Sequence, residues 1–208
     1  YEIPLFYFPK FFHPDPTVKK QSGFLFPTLF DSNKLGTSLE VPYYYVIADN
    51  KDITFKPRFF QKKNIILQTE YRAVNKNSNH FADFSINRKQ NIVDFVSSAS
   101  SKTHFFSNST YELNSNSFEE SNLEINLEHS SHNTYLKTYK IKSPLITDTS
   151  TLNSYVNFNL YNQNLMFETN FEVYENLDSN NNNERYEYVY PNFNLEKNLN
   201  TNEKYNGD

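Results

Sequence analysis

The sequence predicts an all-β fold: an antiparallel transmembrane β-barrel portion of about ten strands, incomplete on its own. Three observations predict it. Apolar and polar residues alternate with period 2 along most of the chain. The runs are about 9 to 13 residues long, beyond the ~5 to 6 typical of soluble sheets and suited to tilted membrane strands. Every second connection is short, the pattern of barrels with short turns at one rim and long loops at the other. Alternation alone also fits a soluble antiparallel sandwich, with a core on one side and water on the other. Strand length and loop parity favour the barrel, and no fixed-period repeat supports a solenoid or propeller.

In chain order, the first expected strand contains Pro27 and the second contains Pro42. Leu39, Val41, Tyr43, Tyr45 and Ile47 alternate with Ser38, Glu40, Pro42, Tyr44 and Val46. After the turn Asp49-Asn50-Lys51, Ile53, Phe55, Pro57 and Phe59 alternate with Asp52, Thr54, Lys56 and Arg58, which makes a hairpin. Ile65, Leu67, Thr69, Tyr71 and Ala73 then oppose Gln68, Glu70 and Arg72. Leu123-Ile125-Leu127, Val156-Phe158-Leu160 and Leu165-Phe167-Thr169-Phe171-Val173 repeat the arrangement, and no segment offers a helical stripe. The short connections are Asp49 to Lys51, Lys76 to Asn79, Asn114 to Ser117 and Asn162 to Asn164. Between them fall the longest loops, around Arg88 to Ser101 and His132 to Ser150, and the polar Asp178 to Asn183. Asp31 to Gly36 and Lys62 to Asn64 are short loops on the long-loop rim, where the parity is imperfect.

Composition agrees. Of 208 residues 37% are hydrophobic, yet 17% are aromatic, with 20 Phe and 16 Tyr. Disordered chains are poor in aromatics, so these rings need a structured surface. A mean hydropathy of -0.75 without a long apolar run excludes transmembrane helices but leaves a barrel open, because a barrel strand is apolar only at alternate positions. A net charge of -4 speaks against a nucleic-acid binder held by a basic patch. With no Cys there is neither a disulfide framework nor a thiolate metal site. The chain opens on Tyr1-Glu2-Ile3-Pro4, without Met or a leader-type segment, and reads as a piece of a longer protein.

Tyr1-Glu2-Ile3-Pro4-Leu5-Phe6-Tyr7-Phe8-Pro9, His13-Pro14-Asp15-Pro16, Lys19-Lys20-Gln21-Ser22-Gly23-Phe24-Leu25-Phe26-Pro27 and Leu35-Gly36-Thr37-Ser38-Leu39-Glu40-Val41-Pro42-Tyr43-Tyr44-Tyr45 follow one another in order. In order and spacing they resemble the start of the barrel in the LptD family of outer-membrane lipopolysaccharide-assembly proteins. Weaker matches run through Asp52 to Arg58, Leu67 to Arg72, His132 to Leu136 with Tyr139, and Val189-Tyr190-Pro191. The resemblance implies that residues 1–21 are the junction from a periplasmic jellyroll and 22–208 the first strands of a much larger barrel in the outer membrane of a Gram-negative bacterium. It implies lipopolysaccharide as the cargo, a lipoprotein plug, LptE, inside the barrel, and a periplasmic LptA bridge reached through the jellyroll. The runner-up readings are a porin-like outer-membrane channel and a surface β-sandwich binding module.

Proline cannot donate to a strand ladder, so Pro27 and Pro42 either end strands or weaken a seam. The resemblance implies the second, a lateral gate for lipid. If Leu39, Val41 and Ile53 face lipid, then Glu40, Lys56, Arg58, Glu70 and Arg72 face inward as a polar lumen lining. A mutually neutralising wall is the plain reading of those charges; contact with lipid phosphate, through Arg58 or Arg72, or with the plug is the functional one. Tyr43-Tyr44-Tyr45 and Phe59-Phe60 read as interfacial girdles at opposite ends of their strands. Phe6, Tyr7, Phe8, Phe11 and Phe12 precede the barrel, at the junction where the resemblance implies that acyl chains leave the jellyroll. No enzyme motif is present: Glu128-His129-Ser130-Ser131-His132 lacks the helical spacing of a zinc protease, and three Gly leave little room for a phosphate loop. No cofactor is expected. Asn108-Ser109-Thr110 fits a glycosylation pattern by chance.

Overall fold

The structure, a computed structural model, describes residues 20–32, 35–61, 64–89, 101–179, 184–200 and 206–207. The junction residues Phe6, Tyr7, Phe8, Phe11 and Phe12 lie outside the described residues. The elements are β1 (Gly23–Phe24), β2 (Thr28–Phe30), β3 (Ser38–Glu40), β4 (Tyr43–Ala48), β5 (Lys51–Phe60), β6 (Asn64–Asn75), β7 (Ser78–Lys89), β8 (Lys102–Glu112), β9 (Glu120–Ser130), α1 (Tyr135–Tyr139), β10 (Thr151–Asn162), β11 (Leu165–Asn176), β12 (Tyr186–Lys197), β13 (Leu199–Asn200) and β14 (Asn206–Gly207).

All but the last two strands form one 12-stranded sheet in which each strand from β4 onward pairs with its successor. Every pairing is antiparallel, as direct turns require. β1 pairs with β4 and β2 with β3, while β3 and β4 both pair with β5, so β1 with β2 and β3 with β4 are two long strands, each broken once. The sheet therefore has the ten positions that the alternation predicts. Asparagines close the short turns. The Asn162 side-chain oxygen accepts the N–H groups of Asn164 at 2.9 Å and Leu165 at 2.7 Å, a side-chain mimic of a backbone turn. Gly36 takes φ +74° between β2 and β3, a conformation that a side chain would strain.

Burial is inverted relative to a water-soluble sheet. One face buries Asp52, Thr54, Arg58, Gln68, Glu70, Asp83, Ser85 and His104, whereas Phe55, Phe59, Leu67, Phe84, Phe105, Leu127, Val156 and Phe171 stand exposed on the other. Polar inside and apolar outside is the barrel-wall arrangement, in which lipid rather than water meets the outer face. No helix among the described residues is long and apolar enough to cross a membrane, which says nothing of strands.

The compact apolar core is not in the wall. It gathers Tyr135, Leu136, Tyr139 and Ile141, from the connection between β9 and β10, against Phe60, Ile66, Phe106, Leu152 and Leu177. That connection folds back over the inner face and carries α1, a helix with no side-chain cap at Thr134 and a left-handed Lys140 at its end. Five residues are too few for a helix to hold itself, so packing holds it. Phe60, expected in a girdle beside Phe59, points inward into this core, because neighbouring strand residues face opposite sides.

Candidate functional site

Two features of the sheet stand apart from the regular ladder: the broken first strands and the polar inner face. Between Phe24 and Thr28 the first strand spends Leu25, Phe26 and Pro27 where its partner spends only Val41 and Pro42 between Glu40 and Tyr43. This extra residue is a bulge, and both prolines sit in it. The Leu25 N–H still donates to the Pro42 carbonyl at 2.9 Å, but Pro42 has no N–H to return. One strand further, the Val41 N–H donates to the Pro57 carbonyl at 3.1 Å, and Pro57 in turn lacks the reciprocal donor. Three neighbouring strands are thus weakened at one level. Pro57 lies as far beyond Pro42 as Pro42 lies beyond Pro27, a spacing visible in the sequence.

Glu40, Lys56, Arg58, Glu70 and Arg72 share the polar face of the sheet. Lys56 pairs with Glu70, and Arg72 bonds Asp52 at 2.7 Å and the Thr54 hydroxyl at 3.1 Å. Lys20 bonds the second Asp52 oxygen at 3.1 Å. Glu40 lies opposite Arg58 in register. Arg58 has the Glu40 charge nearby but gives its hydrogen bonds to neutral oxygens: its Nε donates to Ser38 Oγ at 3.0 Å and its Nη1 to the Tyr139 carbonyl at 2.8 Å, with the Phe30 ring centroid 3.8 Å away.

A second buried cluster was not foreseen. His104 lies between Ser85 Oγ, 2.7 Å from Nδ1, and Asp83, 3.3 Å from Nε2, and stacks on Phe106 at 4.3 Å. Gln68 donates to both Asp83 oxygens and to the Lys142 carbonyl. The Tyr135 hydroxyl meets Ser85 Oγ at 2.7 Å, and burial pushes this phenol up to about 12. These bonds dock the β9–β10 connection on β6, β7 and β8. Further round, a cavity of about 390 Å³ is lined by Asn108, Asn126, Glu128, Asn153, Tyr155 and loop residues that include Thr147.

Glu128, His129 and His132 do not converge. Glu128 accepts from the Asn126 side chain and the Asn153 N–H, and His129 faces Glu175 at 3.1 Å. His132 meets Ser131, and burial, with Lys102 and Arg185 nearby, lowers its proton affinity. Among the described residues no three His, Asp or Glu side chains are gathered as a metal site.

Over 71 residues, 34% of its length, the chain is 42% identical to the LPS-assembly protein LptD of Aromatoleum aromaticum, covering 9% of that protein. Its likeness is to LptD proteins. Those of Ectopseudomonas mendocina and Pseudomonas aeruginosa are 38% and 35% identical over 77 residues, 37% of this chain and 8% of each relative. No family model matches the chain. The chain thus matches less than a tenth of the length of these LptD relatives. The matched segment is similar to LptD proteins, and the inverted all-β sheet is consistent with a partial β-barrel.

Proposed function

We propose that this chain is the N-terminal barrel portion of an LptD protein and takes part in the transport and insertion of lipopolysaccharide at the outer membrane of a Gram-negative bacterium. Residues 1–21 form the junction from the periplasmic jellyroll and 22–208 the first strands. The chain supplies one side of a seam between the first and last strands of the full barrel. Acyl chains pass from the junction to the bilayer through that seam, and the sugar part passes by way of the polar interior. LptE fills part of that interior, and the LptA bridge delivers lipid through the jellyroll. The process needs no bond-making chemistry.

The observation that carries this reading is the bulge at Pro27 and Pro42 at the edge of a ladder that runs without a register shift from β5 to β11. An edge strand with missing donors separates at low cost, which is what a lateral gate needs. The apolar outer face and charged inner face support the division of the cargo between bilayer and lumen.

The test is made in the full-length protein. Pro27→Ala and Pro42→Ala restore ladder donors and should slow the appearance of lipopolysaccharide at the cell surface, the double variant most. Wild-type export in both single variants and in the double variant refutes the gate.

A further inference from the structure

We infer that Arg58 is a positioning residue that latches the rim halves of the first two strands to the connection between β9 and β10. It is 5% exposed, and its guanidinium donates to neutral oxygens. A buried cation is costly unless hydrogen-bonded, so these acceptors are what keep it there. Through them it joins four segments: β3 by Ser38 Oγ at 3.0 Å, the α1 terminus by the Tyr139 carbonyl at 2.8 Å, β2 by the Phe30 ring at 3.8 Å, and its own β5.

An independent tie runs in the same direction. Lys140 Nζ donates to the Asp31 carbonyl at 3.3 Å, directly after β2, and Leu35 of the β2–β3 turn packs on the loop's apolar core. These contacts reach β2 and β3, whereas β1 and β4 lie beyond the proline bulge. On its far side the connection is pinned to β6 by the Gln68 bond to the Lys142 carbonyl, 2.9 Å, and to β7 by the Tyr135–Ser85 bond, 2.7 Å. The connection thus bridges the firm part of the sheet to the broken strands. While it stays on the inner face, β2 and β3 are held; an occupant of the interior that displaces it frees them. The bulge supplies the weak point, and the loop decides whether the rim half uses it.

The link to export rests on the seam reading, but the measurement below does not. Nitroxide labels at the exposed Leu29 and at Lys142 of the full-length protein in nanodiscs report the distance between the first strand and the loop by pulsed electron resonance. A second pair, Phe84 with Lys142, reports the loop against β7. Wild type should give narrow distributions for both. Arg58→Met should raise the displaced population of the first pair by roughly tenfold or more, from the loss of charged hydrogen bonds. Ser38→Ala should broaden the same pair less and leave the second narrow. Lys56→Met, whose cation serves Glu70 instead, should leave the first pair unchanged. An unchanged first pair in folded Arg58→Met overturns the latch. Should that variant not fold, unchanged first pairs in both Arg58→Lys and Ser38→Ala overturn it equally. Normal export by the proline variants, with labels that still respond to Arg58, defeats the gate and spares the latch.

Discussion

Val156→Arg and Asn157→Arg place the same charge one residue apart on β10, and their costs should differ by about 2 kcal/mol or more. Val156 is 36% exposed on the outer face, between Ile125 of β9 and Phe171 of β11. Asn157 faces inward, between Glu124 and Asn170. From Val156 the nearer end of β10 is Thr151. At about 3.3 Å per residue and a tilt near 40°, this leaves roughly 13 Å of depth. An arginine stem covers about half of that, so the guanidinium stays short of the headgroups. The cost is then about 2 to 3 kcal/mol, roughly 30- to 150-fold in the folding equilibrium. Arginine at 157 instead stands opposite the Glu124 carboxylate, which already accepts from Asn108 and Tyr155 at 2.9 and 2.8 Å. A cross-strand pair of opposite charge is worth about 0.2 to 1 kcal/mol, so that variant should be neutral or slightly stabilised. The assay is equilibrium urea titration of the full-length protein in lipid vesicles, read by heat-modifiable migration. Equal costs, or the larger cost at 157, would refute the assignment of faces, and a soluble sheet would tolerate arginine at the already exposed 156.

Tyr135→Phe removes the hydroxyl that meets Ser85 and should cost about 0.5 to 1.5 kcal/mol, seen as faster hydrogen exchange in the β9–β10 connection. Lys56→Met leaves Glu70, whose side chain is 6% exposed, without its cation; about 2 kcal/mol should be lost, and Glu70→Leu added to it should recover most of that in a urea titration. Burial first, then Lys102 and Arg185, depress the His132 value below its ordinary 6.5. The fold therefore prefers neutral His132: its contribution is complete above 6.5 and is lost as pH falls through the lower folded value. Exchange protection of the loop should fall over that interval, and His132→Gln should remove the dependence.

The parts of the fold that read well from sequence are those where one period decides everything. In β5 and β6 alternation fixes which residues share a face, so Lys56 and Glu70 could be placed on one wall without coordinates. The break between β3 and β4 was harder to see, because Pro42 occupies its place in the alternation without disturbing it; what fails there is a missing N–H, which hydrophobic patterning does not register. Asp83, Ser85 and His104 meet across two strands, joined by one of the two longest expected loops, so no spacing within either strand announces them. Helix α1 spans five residues, too few for a helical stripe to repeat, and its partners Phe60 and Ile66 lie far upstream. Arg58 looked like one charge among several because sequence shows the charge and not the acceptor, and here the acceptor is a main-chain carbonyl in the loop.

That last residue bears on why a barrel wall should carry an apolar core at all. Facing lipid, the outer side chains gain nothing by leaving water for one another, since hydrocarbon already surrounds them. Cohesion has to come from the ladder and from whatever fills the interior. Where the ladder is long, as between β6 and β7 or β10 and β11, hydrogen bonds suffice. At β2 and β3 only three residue pairs are formed, next to a bulge that removes donors. The interior loop adds there what the ladder lacks: buried aromatic area from Tyr139 against Phe60, ring centroids 5.7 Å apart, and a guanidinium bonded in two directions. Strength borrowed from a loop can be withdrawn by moving the loop, and strength built into a ladder cannot. The proposed gate, a seam that opens while the rest of the wall stays closed, would be served by the first kind.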